Sequence, residues 1–295
     1  MRPKSLTHGA LALLILIWGT TWAAIRVGLE GLPPFTGVAI RFGIAAVVLL
    51  GVAVALKWPL GSGRRAYLLW IVNATLSFSI SYGVVYWAEQ WIPSGLAAVL
   101  FSTFPLFVAV MAHFWLPGER LRLVSVIGVL LGFAGVVTIF SDDLIGLAGR
   151  QTRLAAIVFL ISPFVSALAN VAVKRWGGGL HPISLTAVPM AMTAGSMGVL
   201  AALVERGRGI SLDVASTAAL FYLAIFGTAV TFFLYFWLLD RLPATRLSLI
   251  TYGVPIVAVT VGTLLLGEAF TPRMLLGSLV VLAGVGLVVR YGRAR

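Results

Sequence analysis

Two stretches of this sequence, 150 residues apart, place proline at matching positions in an apolar run. The first stretch is IPSGLAAVLFSTFPLF, residues 92–107, and the second is LPATRLSLITYGVPIV, residues 242–257. Their prolines, 12 residues apart in each stretch, are Pro93 and Pro105, then Pro243 and Pro255. Because proline removes a helical hydrogen bond, the spacing predicts that one interrupted helix occurs twice in the chain.

The repetition continues beyond the prolines. PGERLRLVSVIGVLLGFAGVV, residues 117–137, resembles GEAFTPRMLLGSLVVLAGVGL, residues 267–287, with Glu119 and Glu268 in register. If each copy holds five helices, the odd number inverts the second copy relative to the first, and such repeats place a binding site near the middle of the membrane. We therefore expect a first repeat over residues 1–148 and a second, inverted repeat over residues 149–295.

The composition indicates a membrane protein. Hydrophobic residues make up 60% of the chain and charged residues 10%, with a mean hydropathy of +1.06, whereas soluble domains are about 45–50% apolar and about 25% charged. Since the chain has no cysteine, disulfides and thiolate metal sites are excluded. The three histidines lie too far apart in sequence to form a metal-ligand spacing.

The apolar windows predict an all-α integral membrane protein with ten transmembrane helices arranged as two inverted five-helix repeats. The first window follows a basic N-terminus but is too long for a cleaved signal peptide, so we interpret it as a retained helix. Each window is long enough for a hydrocarbon core of about 30 Å. The windows are 8–28, 34–56, 66–88, 94–116, 122–140, 153–173, 182–204, 215–239, 244–266 and 272–290.

Lysine and arginine are unevenly distributed between the two sides of this predicted membrane protein. The side that carries both termini holds fourteen of the 21 basic residues and the other side six, while Arg41 lies inside the second window. Because cytoplasmic loops carry the excess of positive charge, we expect both termini to be cytoplasmic. The net charge of +12 is then a topology signal and predicts no nucleic-acid partner.

Four motifs resemble the EamA family of the drug/metabolite transporter superfamily. They are IWGTTWAAIRVGL from Ile17, PPFTGVAIRF from Pro33, LPGERL from Leu116 and LLGEAFTPRMLLGSLVVLAGV from Leu265. The resemblance covers essentially the whole chain. It implies ten helices, an inner-membrane location, an arginine at position 41 and export of small metabolites, often amino acids. One departure is ISPFVSALANVAVKR in the second half, where the first half has Trp18 and Gly19.

Polar side chains recur at helical spacing on the third, sixth and eighth windows, and aromatic side chains accompany them. Such stripes either hold helices together or line a cavity between the repeats. The predicted substrate-binding residues are Trp18, Trp22, Asn73, Ser77, Ser81, Tyr82, Phe101, Ser162, Ser166, Asn170, Thr231, Tyr235 and Tyr252.

Three further residues are candidates for gating or for structure. A charge such as Arg41 inside a span costs at least about 2.5–3.5 kcal/mol, so it needs a partner or a cavity. Arg41 either contacts a substrate carboxylate or gate, or reaches backbone carbonyls or the interface. Pro105 and Pro255 either kink helices for packing or open the backbone onto a cavity. The glycines of the fifth and tenth windows predict close helix contacts; they are Gly128, Gly132, Gly277, Gly284 and Gly286.

The acidic residues are all placed outside the predicted spans, with Glu89 and Glu119 at span edges. The sequence therefore predicts no buried carboxylate for proton coupling, and a pH dependence that is unchanged when either residue becomes glutamine. Neither a nucleotide-binding motif nor a cluster of His, Asp and Glu is present, so we predict no enzyme activity and no cofactor.

The predicted function is export of small metabolites across the inner membrane by alternating access. Amino acids, aromatic ones among them, are the leading substrates. The expected partners are the small-molecule substrate and the lipid bilayer. The alternatives are an exporter of hydrophobic or cationic drugs and a non-transporting membrane assembly protein.

Overall fold

The computed structural model describes residues 4–139, 141, 149–211, 213–266 and 271–291, and within these ranges the chain forms helices and loops without a strand. The helices are α1 (Lys4–Gly31), α2 (Pro34–Ala55), α3 (Arg64–Ala88), α4 (Ser94–Trp115), α5 (Leu123–Ile139), α6 (Arg150–Trp176), α7 (Pro182–Val204), α8 (Val214–Arg241), α9 (Ala244–Ser248 with Ile250–Leu266) and α10 (Pro272–Tyr291). Of the described helices, eight are long and apolar enough to cross a membrane, while α5 and α9 are shorter apolar helices. The all-helical membrane class is confirmed, and ten complete spans stay a prediction.

Proline marks the starts of several helices. Pro93 and Pro243 directly precede α4 and α9, and Pro34, Pro182 and Pro272 are the first residues of α2, α7 and α10. Proline is tolerated there because the first N–H groups of a helix have no intrahelical partner. The helix starts predicted at Pro93 and Pro243 are confirmed.

Five helices depart from regular α geometry. α3 is π-helical over Asn73–Ile80 and α8 over Ile225–Val230. α4 is interrupted between Phe101 and Phe104, α6 at Leu160 and α9 at Leu249. Irregular backbone at membrane depth is tolerated where it is buried in protein or lines a cavity, and π segments are frequent at functional sites.

The second proline of each repeated stretch, Pro105 in α4 and Pro255 in α9, has different surroundings in the two helices. Pro105 lies in the first turn of the segment that follows the interruption of α4, so the break predicted there is confirmed. Pro255 lies inside the continuous second segment of α9, so the interruption predicted for this helix occurs before the proline, at Leu249, and the role of Pro255 stays a prediction. A proline ring disturbs the turn before it, and here the preceding turn tightens, with the Tyr252 N–H donating to the Leu249 carbonyl at 3.0 Å.

The most extensive helix contacts join α5 to α10 and α2 to α7. On α10, a methyl group added to Gly284 would lie 2.5 Å from the Gly128 carbonyl oxygen and 2.6 Å from the Gly132 nitrogen. Gly277 is confined in the same way, whereas a methyl group on Gly286 would meet no atom within 4 Å. Small residues allow helix backbones to approach closely in membranes. The predicted glycine contacts are confirmed except at Gly286.

Candidate substrate cavity

A cavity opens among α1, α3, α4, α6, α8 and α9, and Arg41 of α2 also reaches it. It holds about 920 Å³ of space between atoms, counting the part that is open to solvent. The irregular helices form much of its wall, with Ser77 from the π segment of α3 and Phe101 and Ser102 from the break in α4. The interrupted backbone of these helices thus faces the cavity.

Most of the predicted substrate-binding residues line this cavity. Nine of the thirteen do so: Trp18, Trp22, Ser77, Ser81, Tyr82, Phe101, Ser166, Asn170 and Tyr235. The predicted polar stripes of the third and sixth helices meet here, because the Ser166 hydroxyl donates to the Ser81 oxygen at 2.9 Å. The structure therefore brings these side chains together, and their contact with substrate stays a prediction.

The other four predicted residues lie outside the cavity lining, and each makes a hydrogen bond within the protein. Asn73 Nδ2 donates to the Leu185 carbonyl at 2.7 Å and joins α3 to α7, while its buried Oδ1, like that of Asn170, has no partner among the described residues. Ser162 is buried behind the wall and shares a 2.8 Å hydrogen bond with Ser81. Thr231 is also fully buried, and its hydroxyl turns back to the preceding helical turn.

Tyr252 is the fourth of these residues, and it belongs to the contact between α9 and α5. It is completely buried, and its hydroxyl donates to the Val129 carbonyl at 2.9 Å. A methyl group on Gly132 would lie 2.5 Å from the Tyr252 ring, so the ring occupies the space that this glycine leaves. The side chain therefore fills a helix contact at a distance from the cavity wall.

Aromatic rings form one side of the cavity. The centroid of Trp18 lies 5.6 Å from those of Phe232 and Tyr235, and the centroid of Trp22 lies 5.6 Å from that of Phe101. Rings at such separations attract one another beyond their burial. This wall is suited to an apolar or aromatic side chain of a ligand.

Arg41 is the charged residue of the cavity. Among the described residues that line it, no other carries a formal charge. The guanidinium is 1% exposed and donates to the Thr228 hydroxyl at 2.6 Å, to the Tyr86 hydroxyl at 3.1 Å and to the Gly227 carbonyl at 3.1 Å. It also lies 4.8 Å from the centroid of the Tyr82 ring. Arg41 thus joins α2 to the π segment of α8 with neutral partners and keeps its positive charge.

Two polar atoms at the cavity wall have no hydrogen-bond partner in the part of the chain that the structure describes. Trp18 Nε1 is a buried donor without an acceptor. The Asn170 amide donates to the Tyr235 hydroxyl, but its Oδ1 is a buried acceptor without a donor. Unpaired buried polar groups are costly, so such atoms call for a ligand or water to complete them.

The carboxylates at the ends of the helices have contrasting surroundings. Glu119 accepts three hydrogen bonds at the start of α9, from the N–H groups of Ala244 and Thr245 and from the Thr245 hydroxyl. Glu205 accepts three in the same way at the start of α2. Glu89 is completely buried, and neither of its carboxylate oxygens has a hydrogen-bond partner among the residues described.

The sequence prediction that no carboxylate is buried is therefore wrong for Glu89, and also for Glu205, which is buried but hydrogen-bonded. The Glu89 side chain lies one residue beyond α3, where the polypeptide turns toward α4. The apolar windows located the end of α3, but they gave no information on the other segments of the polypeptide that cover Glu89.

Ten residues of the cavity wall were not predicted from the sequence. They are Thr21, Ile25, Val85, Ala98, Ser102, Phe104, Phe232, Phe236, Thr251 and Val254. One signal was available for Thr251, which follows Phe101 by the same 150 residues as the paired prolines. The apolar members carry no such signal, because an alanine or valine on a cavity wall has the same sequence context as one that faces another helix.

Comparison with known proteins identifies the family. Residues 7–141 and 153–290 each match the EamA-like transporter family. The uncharacterized transporter YoaV of Bacillus subtilis is 27% identical over 271 residues, which is 92% of each chain. The uncharacterized inner membrane transporter YedA of Escherichia coli K12 is 30% identical over 284 residues, covering 95% of this chain and 89% of its own. A crystal structure with 19% sequence identity superposes with a TM-score of 0.82 over 97% of both chains and shares the fold.

The cavity thus lies in a membrane protein whose sequence matches one transporter family in two long segments, and the chain belongs to the EamA-like transporter family.

Proposed function

We propose that this transporter exports amino acids, and more widely small zwitterionic metabolites, through the cavity between its helices. The observation that carries the proposal is the buried charge of Arg41 in a wall that is otherwise uncharged among the described lining residues. The aromatic wall suits an apolar side chain, so aromatic and branched amino acids are the substrates that fit it best. The amino-acid class rests on these side chains and on the resemblance to the family.

A substrate carboxylate complements Arg41. Arg41 has no carboxylate within salt-bridge distance in the described part of the chain, so a bound carboxylate would supply the missing negative charge. Trp18 Nε1 adds an unused donor, and Asn170 Oδ1 adds an unused acceptor suited to an ammonium group. Charge-assisted hydrogen bonds are the strong ones, and they favour a ligand that carries both signs of charge.

The same charge argues against cationic drugs. A cationic ligand in this cavity would be repelled by Arg41 and would find no carboxylate among the described lining residues. The aromatic wall alone would accept a neutral hydrophobic drug, which makes this class the second candidate. Such a ligand would leave Asn170 Oδ1 and Trp18 Nε1 unpaired.

For the architecture, we infer ten transmembrane helices in two inverted repeats, residues 1–148 and 149–295, with both termini on the cytoplasmic side of the inner membrane. Two family matches in one chain support this arrangement, as do the π segments of α3 and α8 and the interruptions of α4 and α9, one of each pair in either half of the chain. Inverted repeats support alternating access around a central site. Since the native chain lacks cysteine, a single cysteine in the loop that precedes Arg64 should react with impermeant reagents only after permeabilisation.

The substrate class is tested by transport in proteoliposomes. We expect phenylalanine and leucine to be exchanged and phenethylamine, which lacks the carboxylate, to be rejected. Arg41→Gln should weaken phenylalanine transport by about 10- to 150-fold, since a hydrogen bond to a charged group is worth about 1.5–3 kcal/mol. Arg206→Gln is the matched control, because Arg206 is exposed and bonded to its own helix. Equal transport of the amine and the amino acid would overturn the proposal.

A further inference from the structure

Glu89 is a titratable group that the substrate cavity leaves unused. Its side chain is 0% exposed, and neither oxygen has a hydrogen-bond partner among the described residues. An ionised carboxylate that loses its water without gaining a donor is strongly disfavoured, so the neutral acid is the favoured form. Glu119 and Glu205 differ in that each accepts three hydrogen bonds as a helix cap.

Glu89 is connected to the cavity along α3. Its N–H donates to the carbonyl of Val85, a lining residue, at 2.9 Å. Three residues before Glu89, the Tyr86 hydroxyl accepts a hydrogen bond from Arg41. On the other side, Arg26 Nη1 donates to the backbone carbonyl of Glu89 at 2.6 Å. The carboxyl group thus lies near two arginines and is hydrogen-bonded to neither.

The electrostatic neighbours of Glu89 are mainly positive. Glu89 lies one residue outside the span, and burial raises the pKa of its carboxyl well above the usual range, against the opposing effects of Arg26 and Arg41. The charged and titratable groups around this end of α3 are Arg26 and Glu30 of α1, Arg41 of α2, Tyr82 and Tyr86 of α3, Arg150 and Arg153 of α6, and Glu205 and Arg208 beside Trp87 and Gln90. Arg26 is exposed and donates to the Glu89 carbonyl, so a hydrated cation lies close to a dehydrated acid.

We propose that Glu89 is a proton-binding site, protonated in this conformation and ionised when the helices rearrange and bring its carboxylate onto Arg26, so that substrate transport is coupled to proton movement. The carboxyl O–H bond breaks, the proton passes to water, and the remaining carboxylate pairs with the guanidinium. A later return of a proton from water on the opposite side of the membrane completes the cycle. The proposal rests on the transport function and replaces the expectation of unchanged pH dependence for Glu89→Gln.

Protonation is tested without any substrate by infrared difference spectroscopy of the purified protein. At neutral pH, the wild type should show the carbonyl band of a protonated carboxylic acid. Glu89→Gln should remove this band, and Glu30→Gln should keep it, because Glu30 is exposed. If the wild type lacks the band at neutral pH, the proton site is overturned, whether or not an amino acid is transported.

The buried acid also has a stability signature. Because the pKa of Glu89 is raised in the folded protein, its stabilising neutral form is fully present at pH values below the unfolded pKa and is lost as the pH rises toward the folded pKa. The melting temperature of the wild type should therefore fall relative to that of Glu89→Gln as the pH is raised from acidic to alkaline. Parallel melting curves at all pH values would contradict the buried acid.

Coupling is tested in proteoliposomes that contain a pH-sensitive dye, with leucine as the probe. Wild-type leucine flux should move protons, whereas Glu89→Gln should exchange leucine without proton movement. Glu89→Asp keeps an acid and should retain coupling, which separates loss of the proton site from loss of folding. Proton movement that persists in Glu89→Gln would overturn the proposal. If the wild type does not transport leucine, the proposed substrate class fails, and the infrared result alone decides the proton site.

Discussion

The contact between α5 and α10 and the cavity wall use apolar helices in opposite ways. At the contact, glycines bring backbones together, and a methyl group on Gly284 would lie 2.5 Å from a carbonyl oxygen of α5. At the cavity, large rings such as those of Trp18 and Phe232 line the wall, and the centroids of these two rings are 5.6 Å apart. Close packing and open space therefore depend on the size of the facing side chains and on the regularity of the backbone.

Polar groups separate the two regions as well. The buried Tyr252 hydroxyl beside the α5 contact is satisfied by the Val129 carbonyl. At the cavity, Trp18 Nε1 and Asn170 Oδ1 have no hydrogen-bond partner within the described ranges of the chain. Substitutions in the first region should therefore reduce stability, and substitutions in the second should reduce transport.

The largest expected effect is on stability at the glycine contact. Gly284→Ala places a methyl group against backbone atoms of α5 on two sides, and these atoms cannot move aside as a flexible side chain would. We expect a destabilisation of about 3 kcal/mol, at the upper end for overpacking, measured by thermal or denaturant unfolding in detergent. Gly286→Ala is the matched control, because its methyl group meets no atom within 4 Å. Equal stability of the two variants would remove the basis for this contact.

The next effect is on transport. Asn170→Ala removes an unpaired acceptor from the cavity wall and should weaken apparent substrate affinity by about 5- to 100-fold, corresponding to about 1–3 kcal/mol. The melting temperature should change little, because the amide makes one hydrogen bond within the protein, to Tyr235. Uptake kinetics and melting of the same preparation check both statements. Activity that falls only in proportion to folded protein would assign Asn170 to packing.

The smallest effect is expected at Asn73, the matched residue outside the cavity. Asn73→Ala removes the 2.7 Å bond to the Leu185 carbonyl between α3 and α7. An interhelical hydrogen bond in a membrane contributes about 0.6 kcal/mol on average, so melting should shift slightly and transport per folded molecule should stay near the wild-type value. If Asn73→Ala lost as much substrate affinity as Asn170→Ala, Asn73 would belong to the substrate site.

The sequence predicted the helical class and much of the cavity wall for physical reasons. Apolar windows of span length require helices in a bilayer, and the polar stripes of α3 and α6 meet where Ser166 bonds to Ser81. The sequence could not separate Asn73 from Asn170, because both lie on polar stripes at helical spacing. Their roles depend on which neighbouring helix each side chain faces.

Two other results required the folded structure. Tyr252 was predicted in place of its neighbour Thr251, and only the packing shows that the ring fills the space beside Gly132 while Thr251 lines the cavity. Glu89 lies at a helix end that the sequence places at the membrane edge, yet the surrounding chain buries it completely. Burial at a helix end is set by tertiary contacts that hydropathy does not report.

The central claim is that substrate occupies the cavity beside Asn170 and Ser166, and substrate protection of a single cysteine tests it most directly. The native chain has no cysteine, so labelling of a Ser166→Cys variant by a small thiol reagent has no background. Phenylalanine should slow labelling at this cavity position, and it should leave labelling of a Ser62→Cys control unchanged, because Ser62 is exposed and lies outside the cavity lining. If phenylalanine, leucine and the other common amino acids leave the labelling rate of Ser166→Cys unchanged, the cavity is not the amino-acid site.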